Sequence, residues 1–112
     1  MRGYWARITP ERVAIDDEQR LRPAPDVVSR VLDGEAVLLH LGRGTYFGLN
    51  EVGTRVWELL ADGPTVRELQ ERIIAEFDVA PETAAQDVRE LVEQLMQRDL
   101  IGGDDVDRRE RA

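Results

Sequence analysis

The stretch Gly44-Thr45-Tyr46-Phe47-Gly48-Leu49-Asn50-Glu51-Val52-Gly53-Thr54-Arg55-Val56-Trp57-Glu58-Leu59-Leu60 decides the fold, because the apolar period changes inside it from 2 to 3.6. Thr45 to Leu49 is a short, aromatic-rich run suited to a strand. Asn50 is a good helix N-cap, and Val52, Val56, Trp57, Leu59 and Leu60 then share one helical face until Gly63 stops it. A strand that hands over directly to a helix orders everything around it.

Upstream the signals are β. Val27-Val28-Ser29-Arg30-Val31-Leu32 ends at Asp33-Gly34, where both residues tolerate the positive φ of a tight hairpin turn. Glu35 to Leu41 follows as a mostly apolar strand, buried on at least one face, and Gly42-Arg43-Gly44 makes the next turn. Downstream the signals are helical. Thr65-Val66-Arg67-Glu68 is a capping box, and Val66, Leu69, Ile73 and Ile74 form an apolar face that Phe77 closes. Pro81 suits the first position of a third helix, which carries Ala84, Val88, Leu91, Val92, Leu95 and Met96 and ends near Asp99. The expected class is α+β, a three-stranded antiparallel sheet followed by three helices, either a winged helix-turn-helix or a generic α+β domain.

The 112 residues suffice for one domain. Three parts are expected: an N-terminal extension or arm over 1–22, a folded domain over 23–101 and a disordered tail over 102–112. The boundary at residue 22 rests on Arg22-Pro23-Ala24-Pro25-Asp26, whose two prolines each push the preceding residue toward extended geometry. Ahead of it, Ile8, Val13 and Ile15 are spaced for a strand or an extended arm. The tail opens with two glycines, and Val106 is its one sizeable aliphatic side chain.

Composition removes several function classes. There is no Cys, which excludes disulfides, thiolate zinc sites and a cysteine nucleophile. All 15 basic residues are Arg, so Schiff-base chemistry and a phosphate-loop lysine are excluded. His40 and Ser29 are the single representatives of their types, and neither has partners in the sequence that nominate a catalytic group. The glycines from Gly42 to Gly48 have the wrong spacing for a phosphate loop and precede a strand instead of opening a helix. No cofactor, no metal and no enzymatic activity are expected. With no apolar run long enough to span a membrane and no signal-peptide stretch in MRGYWARITPER, the expected location is the cytoplasm.

The net charge of -8 opposes a phosphate backbone, and residues 26–101 alone carry that excess. In a winged helix the third helix would read DNA. Here it holds Glu82, Asp87, Glu90, Glu93 and Asp99 against Arg89 and Arg98, the wrong sign for that task. Peptide recognition fits better. The edge of the third strand can accept an extended peptide through backbone hydrogen bonds. The third helix has two apolar stripes, Val88-Leu91-Leu95 and Val92-Met96, of which one must pack inward. The second can floor a groove beside the strand, or both can be core.

Two stretches carry a family resemblance: Asp26-Val27-Val28-Ser29-Arg30-Val31-Leu32-Asp33-Gly34-Glu35-Ala36-Val37-Leu38-Leu39-His40-Leu41, and the run from Gly44 to Leu60. Together with Thr65 to Leu69, Glu76 to Thr83 and Asp87 to Ile101, they resemble the PqqD-like family of small peptide-modification chaperones, the RiPP recognition elements. The likeness covers about residues 20–101, and its most specific motif is Tyr46-Phe47-Gly48-Leu49-Asn50-Glu51-Val52-Gly53. It implies a winged helix-turn-helix that binds the leader of a ribosomally made precursor peptide and presents it to a modifying enzyme. It also implies that the leader adds as a strand beside Thr45, Tyr46, Phe47, Gly48 and Leu49, over Ala84, Asp87, Val88, Leu91 and Leu95. A leader protease, a cyclase or a radical enzyme would be the partner, in lasso-peptide or other modified-peptide maturation or in pyrroloquinoline quinone assembly. Two positions depart from the family: Ala80 stands where a capping Asp is common, and residues 1–20 exceed a minimal member. A transcription regulator and a generic interaction module are the alternatives. The open strand edge also leaves room for a homodimer, through that edge or through a neighbour's N-terminal arm.

Overall fold

The structure is a computed structural model and describes residues 17–103. Its elements are β1 (Leu21–Pro23), β2 (Val27–Leu32), β3 (Glu35–His40), β4 (Thr45–Gly48), α1 (Glu51–Leu59), a 3-10 turn (Leu60–Asp62), α2 (Val66–Glu76), α3 (Pro81–Gln97) and β5 (Ile101–Gly103). β2, β3 and β4 form the expected antiparallel meander with β3 in the centre. At the β2–β3 turn Asp33 and Gly34 have φ of 54° and 81°, the geometry that an Asp-Gly hairpin supplies. The sheet followed by three helices is a winged helix-turn-helix type of fold.

Local chemistry fixes the helix ends. Asn50 caps α1 by accepting the Gly53 N–H at 2.8 Å. Gly63, with φ of 69°, closes the 3-10 turn that extends α1. The capping box at α2 is complete: Thr65 accepts the Glu68 N–H and Glu68 accepts the Thr65 N–H, both at 3.1 Å. Pro81 opens α3 after Ala80, which provides no side-chain cap.

Packing follows from these ends. Ala36, Leu38 and His40 alternate inward along β3 and meet Val56 and Leu60 from the α1 side, Leu69 and Ile73 from α2, and Val88, Val92 and Leu95 from α3. Where β4 runs out, Ala36 would be left with unpaired backbone groups. Its carbonyl takes the Leu49 N–H and its N–H is taken by the buried Thr54 hydroxyl, both at 2.8 Å. That hydroxyl ties the sheet to α1. Across the other helix junction, Arg55 of α1 binds Glu76 of α2 through two guanidinium bonds of 2.7 and 3.1 Å. Glu76 also accepts from Arg72, and these bonds hold its carboxyl at about 2, well below the usual range.

β1 runs across residues 22 and 23, where the sequence places a division. Leu21–Pro23 pairs with Ile101–Gly103, Arg20 bridges to Thr65, and Leu21 is fully buried. The Leu21 N–H donates to the Pro64 carbonyl and the Ala24 N–H to the Leu100 carbonyl. The proline joint is therefore part of the domain, because its extended geometry is what a strand needs. Gly102 and Gly103, expected in the tail, complete the same pairing. The strand or arm expected around Ile8, Val13 and Ile15, and the tail from residue 104, lie outside the described residues.

Candidate functional site: a groove beside an open strand edge

β4 pairs with β3 in an unbroken register, Leu38 with Phe47 and Leu39 with Tyr46, and has no strand on its other side among the described residues. The orientation of its backbone follows from one bond. The Leu49 N–H points to β3, and amides alternate along a strand, so Phe47 also faces β3 while Tyr46 and Gly48 face the open edge. Among the described residues, two donors and two acceptors thus stand unused along β4. Side chains alternate in the other dimension: Phe47 lies on the inner face with Leu38, and Tyr46 lies on the outer face, 71% exposed.

Beside this edge runs an open groove of about 450 Å³. Phe47, Gly48 and Leu49 form one wall, and Ala84, Asp87, Val88 and Leu91 of α3 form the opposite one. Val56 and Ile73 line it as well, joined by Val52 and Val79. The guanidinium of Arg98, just past α3, stacks 4.9 Å from the centre of the Phe47 ring and steadies that wall. The lining is mostly apolar with a few polar groups, in the size range of ligand clefts.

Seven of the ten positions named from the sequence therefore meet on one groove. Thr45 and Tyr46 belong to the strand but not to the groove wall. Leu95 is at 0% exposure in the core, so that part of its stripe packs inward. Leu91, one turn earlier, is half-buried and borders the groove. Sequence reasoning missed Asn50, Val52 and Gly53 at the start of α1, and Glu90 and Gln94 on α3. Glu90 and Gln94 sit three and seven residues from Asp87, and helical spacing alone would have found them. The residues of α1 carried no such signal, since they served already as cap and first turn.

His40, the candidate for chemistry, is buried on β3, and its Nδ1 accepts the Arg43 N–H at 3.2 Å, which closes the β3–β4 turn. Among the described residues no cluster of three possible metal ligands occurs, and no helix is long and apolar enough to cross a membrane.

Fold and site together define a small winged-helix domain with a mostly apolar cleft along a sheet edge that is unpaired among the described residues. Residues 35–101 match the profile of the family described as Coenzyme PQQ synthesis protein D (PqqD), and the chain belongs to that family. A solved structure of TbiB1 in complex with the TbiA(beta) leader peptide is 41% identical, covering 71% of this chain and 93% of that one, with a TM-score of 0.66. A structure of lasso peptide synthetase B1 complexed with the leader peptide is 24% identical over 73% of this chain and 96% of that one, with a TM-score of 0.65, and supports the fold. Among curated proteins none matches the sequence.

Proposed function

We propose that this protein binds the leader segment of a ribosomally synthesised precursor peptide and presents the attached core to a modifying enzyme, without catalysing a step itself. The observation that carries this reading is the coincidence of backbone groups on Tyr46 and Gly48, unused among the described residues, with an apolar groove walled on its far side by α3. An extended peptide added to β4 satisfies those groups and drops alternate side chains between Phe47 and Leu91. Backbone pairing then gives affinity, and the groove gives selectivity.

The outer edge of β2 is also unpaired among the described residues, but the groove borders β4 and contains no β2 residue. The likeness to TbiB1, whose structure holds a leader peptide, supports the same ligand class, and within that class we take lasso-peptide maturation as the setting. In that setting the partner is a leader protease or a cyclase, and the chain supplies what such enzymes need from a carrier: a held, extended substrate. The absence of Cys and Lys from the sequence suits a presenting role.

Titration of labelled TbiA(beta) leader, and of leaders from short precursor genes neighbouring this one, tests the proposal. Saturable binding at micromolar concentration is expected for at least one of them. Failure of all to bind would refute it.

A further inference from the structure

We infer that the groove selects a leader carrying an arginine or lysine on the same face as its apolar anchors, read by the carboxylates of Asp87 and Glu90; this rests on the leader-binding reading of the groove. Asp87 and Glu90 are the charged side chains of the groove lining, and both are acids. They lie three residues apart on α3 and so share its groove-facing side. Among the described residues no cation pairs with them. Arg89, their neighbour in sequence, bonds Asp17, and Arg98 stacks on Phe47. Some other acids do have cation partners, Glu76 in Arg55 and Arg72, Glu68 in Arg20 and Asp99 in Arg43, while Glu51, Glu82 and Glu93 on the helices form no ion pair among the described residues. Among the described residues Asp87 makes no hydrogen bond or ion pair, and Glu90 accepts an amide N–H from Gln86 at 3.1 Å.

A cation from the ligand completes this wall. A strand added to β4 alternates its side chains, those on the Phe47 side entering the groove and the others joining Tyr46 outside. The basic residue and an apolar anchor that both enter are therefore separated by an even number of positions. Because the carboxylates face solvent, the charge pair changes affinity modestly, about two- to fivefold. An acid at the same position is disfavoured by a similar factor, and the chain's net charge of -8 reinforces the preference at low salt.

The test uses the TbiA(beta) leader as parent, with each position replaced in turn by Arg, Gln and Glu. Dissociation constants are measured by fluorescence anisotropy for the wild-type protein and for the Asp87→Asn/Glu90→Gln double variant, with thermal melts confirming that both are folded. At positions of one parity, Arg should bind about two- to fivefold more tightly than Gln, and Glu correspondingly more weakly. That spread should collapse in the double variant and shrink at high salt. Binding of the parent with no charge preference at either parity, or with the same preference in both proteins, overturns the inference and leaves leader binding standing. If the parent does not bind the wild type, the inference falls together with the leader-binding reading of the groove.

Discussion

Replacing Tyr46 with proline isolates the contribution of strand pairing. The Tyr46 N–H faces the open edge, so its removal breaks no bond to β3, and edge positions of this kind accommodate proline. The lost side chain is 71% exposed and contributes little burial. The folded domain should therefore melt within a few degrees of the wild type. A bound leader strand suffers more. It exchanges an N–H and a C=O bond with Tyr46, and the proline ring occupies the path of the incoming backbone. At a net ~1 kcal/mol per bond, losing both weakens binding by ~2 kcal/mol, or roughly 30-fold. Tyr46→Ala is the matched control: it loses the phenol and keeps the N–H, so its dissociation constant should rise by less than about fivefold. Anisotropy titration of labelled leader against the three proteins gives the comparison. If the proline and alanine variants fold and bind alike, the leader does not pair with β4 at Tyr46.

Three further outcomes follow from other parts of the structure. Gly48→Val should raise the leader dissociation constant by about fivefold or more with little change in melting, because a Cβ there meets nothing within 4 Å in the free protein but stands beside an incoming strand; equal losses of binding and stability would instead mark Gly48 as a structural kink. Thr54→Val strands the buried Ala36 N–H and should cost about 1–3 kcal/mol of stability, with Thr54→Ser recovering most of it in a thermal melt. Glu76 is held near 2 from its ordinary 4.5 by Arg55 and then Arg72, so its stabilising effect is complete above about pH 4.5 and is lost as pH falls toward 2. The melting advantage of wild type over Glu76→Gln should accordingly be present at neutral pH and fade across that window; an advantage that persists below it would contradict the assignment.

The legible parts of this protein are those set by local chemistry. Asp33-Gly34, Asn50, the Thr65–Glu68 box and Pro81 each act within a few residues, and each lies where its residue type requires. The β1–β5 pairing was hidden because its strands are three residues long, one ends in proline and the other contains two glycines, so neither resembles a strand until the other is beside it. The site was legible to the same extent. Period 2 on β4 and period 3.6 on α3 identify which residues share a face, and the family likeness named the edge. How far the core extends over a helical face depends on neighbours distant in sequence. Leu91 and Leu95 look alike on a helical wheel, yet Leu100 folds back after α3, donating its N–H to the Leu95 carbonyl, and the turn that carries Leu95 is covered. The same limit hid Val52 and Gly53, which join the groove through the angle at which α1 leaves β4.

The central claim, that a leader peptide becomes the fourth strand of the sheet at β4, is tested most directly by residue-resolved amide hydrogen exchange with and without saturating leader. The Tyr46 and Gly48 amides, which face the open edge in the free protein, should become strongly protected, while amides along the outer edge of β2 stay unchanged. A leader that binds tightly yet leaves the Tyr46 and Gly48 amides exchanging as in the free protein, or that protects β2 instead, would contradict the account.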